Sequence, residues 1–182
     1  MTTTGQELKE EGMRLFHEGL YDEAVAKFEQ AREAFAAEEN EIEVAEMVNN
    51  LGVVYRLQDK WDEAIAALEE ARATFSKLDD RGREAQTLGN LGGLYADKNE
   101  RDKAKESLRQ AADIFTELGD KERQGETLLA LGVQLWKTGD RSGGLATYEA
   151  GLQIIPKPTV RQKTVRNLLR MRNRLLGQKS NQ

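Results

Sequence analysis

Apolar residues recur along this chain in bursts of helical spacing, separated by short polar breaks. Val44, Met47, Val48, Leu51 and Tyr55 keep to one side of a helix, and after the break at Gln58-Asp59-Lys60-Trp61 a second set follows, Ile65, Leu68, Ala71, Ala73 and Phe75. A break this short lets the two helices lie antiparallel as a hairpin, each burying its stripe against the other.

The hairpin repeats with a period of 40 residues. Gly12, Gly52, Gly92 and Gly132 form one column, Tyr21, Trp61, Arg101 and Arg141 a second, and Ala24, Ala64, Ala104 and Gly144 a third. Phe28, Leu68, Leu108 and Tyr148, then Ala31, Ala71, Ala111 and Gly151, then Phe35, Phe75, Phe115 and Ile155 complete the pattern. Small residues in the middle of the first helix (A) and near the start of the second (B) let two backbones approach closely. Asn40, Asp80 and Asp120 are placed to cap the A helices, and Asp22, Asp62, Asp102 and Ser142 are expected to cap the B helices. Thr4 with Glu7 makes a capping box that opens the first helix near residue 5. Pro156 stops the last B helix near Ile155.

Gly52, Tyr55, Ala64, Leu68 and Ala71 resemble the small–large signature of the tetratricopeptide repeat, over residues 5–158. The period exceeds the family's usual ~34 residues. Stretches such as Glu84–Tyr95 and Ile114–Asp120 resemble the longer repeats of the Pins and kinesin-light-chain type. The resemblance implies an all-α fold, a right-handed superhelical solenoid of antiparallel helix hairpins with a C-terminal capping helix. Its divisions are four repeats at about 5–40, 41–80, 81–120 and 121–158, a cap at 159–176 and a disordered tail at 177–182.

It also implies a function: a protein–protein interaction scaffold that takes a peptide or helix of a partner protein in a groove lined by the A helices. Projecting the family pattern places Lys9 and Met13 of the first repeat in that groove, with Gln6, Phe16 and His17 beside them. The second repeat contributes Glu46, Asn49, Asn50, Val53 and Arg56, the third Gln86 and Asn90, and the fourth Glu126, Leu129 and Trp136. The third repeat is expected to be almost bare of side-chain bulk, because Gly89 and Gly93 stand on its groove side. Lys9 and Asn50 match two positions of the carboxylate clamp that some family members use on chaperone tails. Met13, Gly89 and Gly93 replace the other three, so that ligand is not implied.

Composition and charge sharpen the picture. Charged residues make up 32% and aromatics 6% of 182 residues, which suits an extended repeat array better than a compact globule. There is no cysteine, so thiolate chemistry has no residue to use, and His17 is the sole histidine, so a histidine-based metal site or general-base relay has no second histidine to partner it. The glycine groups lack the lysine of a phosphate loop. No enzymatic activity, cofactor or metal is expected. Neither a leader-like apolar run nor a membrane-length segment is visible, and the expectation is a cytoplasmic protein.

Residues 1–160 hold 20 Lys and Arg against 32 Asp and Glu, a balance of −12, whereas residues 161–182 hold seven basic residues and no acidic one. The basic C-terminal stretch has two readings. As a cap, it lays Val165, Leu168, Leu169, Leu175 and Leu176 over Leu145 and Leu152 of the last B helix and keeps its arginines in water. As an arm, it makes the chain a nucleic-acid- or anionic-membrane-associated module. The cap reading is preferred, since a stacked array leaves its last apolar face open without one.

Overall fold

The computed structural model describes residues 4–179, and among these it contains nine helices and no strand. They are α1 (Gly5–His17), α2 (Tyr21–Ala37), α3 (Glu41–Leu57), α4 (Trp61–Lys77), α5 (Arg81–Asp97), α6 (Arg101–Glu117), α7 (Lys121–Lys137), α8 (Arg141–Ile154) and α9 (Val160–Lys179). The expected helical-hairpin repeat is therefore what the chain forms. Its 40-residue unit is built from two nearly equal halves. From α2 to α7 every helix has 17 residues and the next begins 20 residues on.

The turns enforce that spacing. Gly19, Glu39, Asp59, Asp79, Asn99, Gly119 and Gly139 all take the left-handed backbone, with φ between 57° and 97°. After the first six of these the next residue reaches back across the turn: the N–H groups of Leu20, Asn40, Lys60, Asp80, Glu100 and Asp120 donate to the carbonyls of Leu15, Phe35, Tyr55, Phe75, Tyr95 and Phe115. This is the Schellman ending, and it leaves only three residues between helices.

At the A helices the caps are as expected. Asn40, Asp80 and Asp120 accept from the N–H groups of Glu43, Arg83 and Arg123, and Thr4 forms the full capping box with Glu7. At the B helices the expectation fails. Asp22, Asp62 and Asp102 sit inside the first turn, as does Ser142, because the rigid turn fixes the cap position earlier, at Leu20, Lys60 and Asp140. Asp140 caps α8 through the N–H of Gly143, whereas Leu20 and Lys60 supply no side-chain cap. All three first-turn acids instead face the helix dipole; Asp102 pairs with Lys105 of its own helix, while Asp22 and Asp62 brace the end of the following A helix. Gln58 donates to Asp22 at 2.8 Å, and Lys98 lies 3.7 Å from Asp62.

The chain divides into two compact units, residues 1–100 and 101–182, so the third hairpin contributes one helix to each. In the first unit α1 to α5 pack in sequence, and one cluster joins Leu8, Leu15, Phe28 and Phe35 of the first hairpin to Met47, Leu51 and Val54 of α3. The glycine column works here by admitting a side chain. A Cβ on Gly12 would stand 2.7 Å from the Phe28 ring, and one on Gly52 2.7 Å from Leu68. In the second unit α7 and α8 touch backbone to backbone, with the Gly144 carbonyl oxygen 2.7 Å from where a Gly132 Cβ would be.

Ile155, extended before Pro156, ends α8 where the sequence places the stop. Thr159 and Gln162 then exchange hydrogen bonds of 2.7 and 3.3 Å to open α9. This last helix packs on the C-terminal part of α8: Arg166, Leu169 and Arg170 meet Glu149, Leu152 and Gln153, and Arg172 pairs with Glu149. Two details of the expected cap are corrected. Leu168 is 56% exposed rather than covered, and Leu145 lines an open cleft instead of lying under α9. The side chains of Leu175 and Leu176 lie outside the described residues. The helix continues through Lys179, into the stretch expected to be a tail, and residues 180–182 also lie outside the described residues.

Candidate protein-interaction surface

Successive A helices of the first unit stand side by side, and polar side chains bridge them. The Lys9 ammonium on α1 lies 2.8 Å from Glu43 and 2.6 Å from Glu46 on α3. Glu46 also meets the Arg83 guanidinium of α5 at 3.0 Å, and Arg83 pairs with the capping Asp80 at 2.6 Å. Burial pulls the Lys9 pKa down, but the two carboxylates more than offset it, so the net direction is upward. Asp80 is likewise pushed up by burial and then held below the usual carboxylate range by the Arg83 N–H and guanidinium.

Two further struts cross the same face. Asn49, only 4% exposed, accepts from the Thr87 hydroxyl at 3.1 Å and from the Asn90 amide at 3.0 Å. Arg56 pairs with Asp97 at 2.6 Å, and its guanidinium lies over Gly93, 2.5 Å from where a Cβ would stand. The expectation that the third repeat is bare is thus corrected at Gly93, which Arg56 fills. It stands at Gly89, where nothing lies within 4 Å of the Cβ position.

The twelve groove candidates separate by what they touch. Lys9, Glu46, Asn49, Arg56 and Asn90 are struts between A helices, and Met13 packs against the first core cluster. Asn50 and Val53 are half-buried on α3, and Gln86 is exposed on α5. In the second unit Glu126 is exposed, whereas Leu129 lies against Gly151 of α8. Trp136 is 50% exposed, with the Arg141 guanidinium 5.9 Å from its ring centre. The struts Glu43, Arg83 and Thr87 escaped the sequence reading. The available signal was opposite charge at separations of 34 and 37 residues, just under one period, as in Lys9–Glu43 and Glu46–Arg83.

The tetratricopeptide repeat profile matches this sequence over residues 12–77 and 43–117. The chain belongs to the tetratricopeptide repeat family. No curated protein matches it. Among solved structures, this tetratricopeptide repeat chain is similar to BtubC (BKLC) from P. vanneervenii, at 25% identity and a TM-score of 0.75, over 85% of this chain and 67% of that one. It is similar in fold to a Rap protein complexed with Competence and Sporulation Factor, with 20% identity and a TM-score of 0.71; 82% of this chain aligns with 42% of that one. A Podosopora anserina putative kinesin light chain with nearly identical TPR-like repeats matches at 16% identity and a TM-score of 0.69, over 98% and 95% of the two chains. These solved structures share the hairpin architecture, and the kinesin light chain, with its TPR-like repeats, agrees with the long-repeat resemblance.

Proposed function

We propose that this chain is a scaffold that holds a peptide or helical segment of a partner protein against the A-helix face of its first unit. The observation that carries the reading is the open backbone at Gly89 on α5, a helix that also carries the amides of the exposed Gln86 and the half-buried Asn90. A partner main chain can approach a helix closely where no Cβ intervenes, and the amides supply both donors and acceptors for it. The surrounding struts hold α1, α3 and α5 in one arrangement before a partner arrives, which lowers the ordering cost of binding. Family membership supports the same use, as does the Rap neighbour, whose structure contains Competence and Sporulation Factor.

Replacing Gly89 with Leu tests the reading. The position is open, so the variant keeps its fold while its side chain occupies the approach. The expected result is loss of a partner that the parent protein retains from cell extract. Equal retention by both proteins refutes the site.

A further inference from the structure

The last hairpin leaves a cleft of about 230 Å³ between α7 and α8, lined by Val133, Trp136, Leu145 and Tyr148 over the paired glycines Gly132 and Gly144. Three periods upstream these positions are Met13, Phe16, Val25 and Phe28. In the first hairpin those four side chains form one apolar cluster with Met47, Leu51 and Val54 of α3. The cleft therefore corresponds to the seat that receives the next A helix, a stripe of residues at i, i+4 and i+7. The seat on the last hairpin has no such helix among the described residues. Val133 and Trp136 are 39% and 50% exposed there.

The same unit carries a stripe with no seat. Thr164, Leu168 and Met171 lie at i, i+4 and i+7 on α9 and are all exposed, Leu168 by 56% and Met171 by 57%. Thr127 and Leu131 of α7, both buried, show the same Thr-then-Leu step on an A helix. The charges flanking the two surfaces also match in order. On α7 the exposed Glu122 and Glu126 precede Val133 and Trp136 along one face, and on α9 the exposed Arg161 and Lys163 precede Leu168 and Met171. Lys9 of α1 and Glu43 and Glu46 of α3 are arranged in the same sequence beside the occupied seat, with the signs exchanged.

The stripe does not reach its own seat, because the other side of α9 is already engaged with α8 through Leu169 and the Arg172–Glu149 pair. Filling the seat within one molecule requires breaking those contacts. A second molecule can fill it while both keep them. The N-terminal helix is not a substitute occupant: one period before Met47, Leu51 and Val54 stand Glu7, Glu11 and Arg14, which would put three charged groups into an apolar seat.

We infer that two copies of this chain associate reciprocally, the Thr164–Leu168–Met171 stripe of each lying in the Val133–Trp136–Leu145–Tyr148 seat of the other. This surface is separate from the Gly89 region and stands whether or not that region binds a partner.

Sedimentation equilibrium on the full chain tests the inference. The parent protein is expected to be a dimer at micromolar concentration. Leu168→Glu and, separately, Val133→Glu change exposed residues, so both variants fold. Each substitution occurs twice in the dimer and is expected to raise its dissociation constant by about a hundredfold or more. Mixing the two variants leaves one intact seat and one intact stripe facing each other, so a mixed dimer forms more tightly than either variant alone. A monomeric parent, or a dimer indifferent to both substitutions, overturns the proposal.

Discussion

Substituting alanine for glycine at three positions on the A helices should move stability in opposite directions, although residue types and helix class are the same. At Gly89 nothing lies within 4 Å of the new Cβ, so the helix gains only propensity and lost unfolded-state freedom, about 0.5–1 kcal/mol. At Gly52 the Cβ meets Leu68 at 2.7 Å and the Ala64 carbonyl oxygen at 3.3 Å. Leu68 is fully buried and must shift against its neighbours, which outweighs the propensity gain by about 1 kcal/mol. At Gly132 the obstacles are backbone: the Gly144 oxygen at 2.7 Å and the Tyr148 nitrogen at 2.8 Å, where ordinary contact begins at 3.4 Å. The two helices must part by about 0.7 Å, and a net loss of about 2 kcal/mol is expected, at the upper end of overpacking once propensity is subtracted. Urea unfolding followed by circular dichroism measures all three. With a slope of about 2 kcal/mol/M, the Gly89→Ala and Gly132→Ala midpoints should fall more than 1 M apart, on opposite sides of the parent. Trp136, one turn beyond Gly132 on α7, should report the Gly132→Ala loss first by fluorescence. A neutral Gly132→Ala, or a Gly89→Ala less stable than it, refutes the assigned packing.

Two other perturbations follow from the polar face. Asn49→Ala removes the acceptor shared by Thr87 and Asn90 in a buried position and should cost about 1–3 kcal/mol, with a double-mutant cycle against Thr87→Val showing clear coupling. Acid should weaken the fold through Glu7 and Asp80, both held below their ordinary pKa, Glu7 by hydrogen bonds from Thr4 and Asp80 by Arg83 despite the opposing effect of burial. A depressed carboxylate stabilises the fold above its unfolded pKa of about 4 and loses that contribution as pH falls through the lower folded value. Helix content should therefore hold from pH 7 to about 5 and fall below about 4, and Asp80→Asn should shallow that fall; an identical acid profile for the variant excludes the role given to Asp80.

Much of the fold is legible in the residues because each repeated feature has a local cause. Apolar stripes, the caps at Asn40, Asp80 and Asp120, the box at Thr4 and the stop at Pro156 depend on neighbours within a few residues. The 20-residue rhythm of the turns is hidden. Its left-handed position is filled in turn by Gly, Glu, Asp, Asp, Asn, Gly and Gly, which share a backbone shape and no side chain. The same limit separates groove from strut. Helical spacing places Lys9, Asn49 and Arg56 on one face of their helices, but whether that face meets solvent or the next A helix depends on partners about 40 residues away. On α9 the pattern identifies an apolar side, and only the packing against Leu152 decides that Leu169 turns inward and Leu168 outward.

The most direct test of the scaffold reading places a photo-crosslinking amino acid at Gln86, exposed on the A-helix face, and separately at Glu70, exposed on a B helix. Irradiation in the source cell should join a discrete partner protein to the Gln86 position and not to the Glu70 position. Crosslinks confined to Glu70, or none at Gln86 above background, contradict the account.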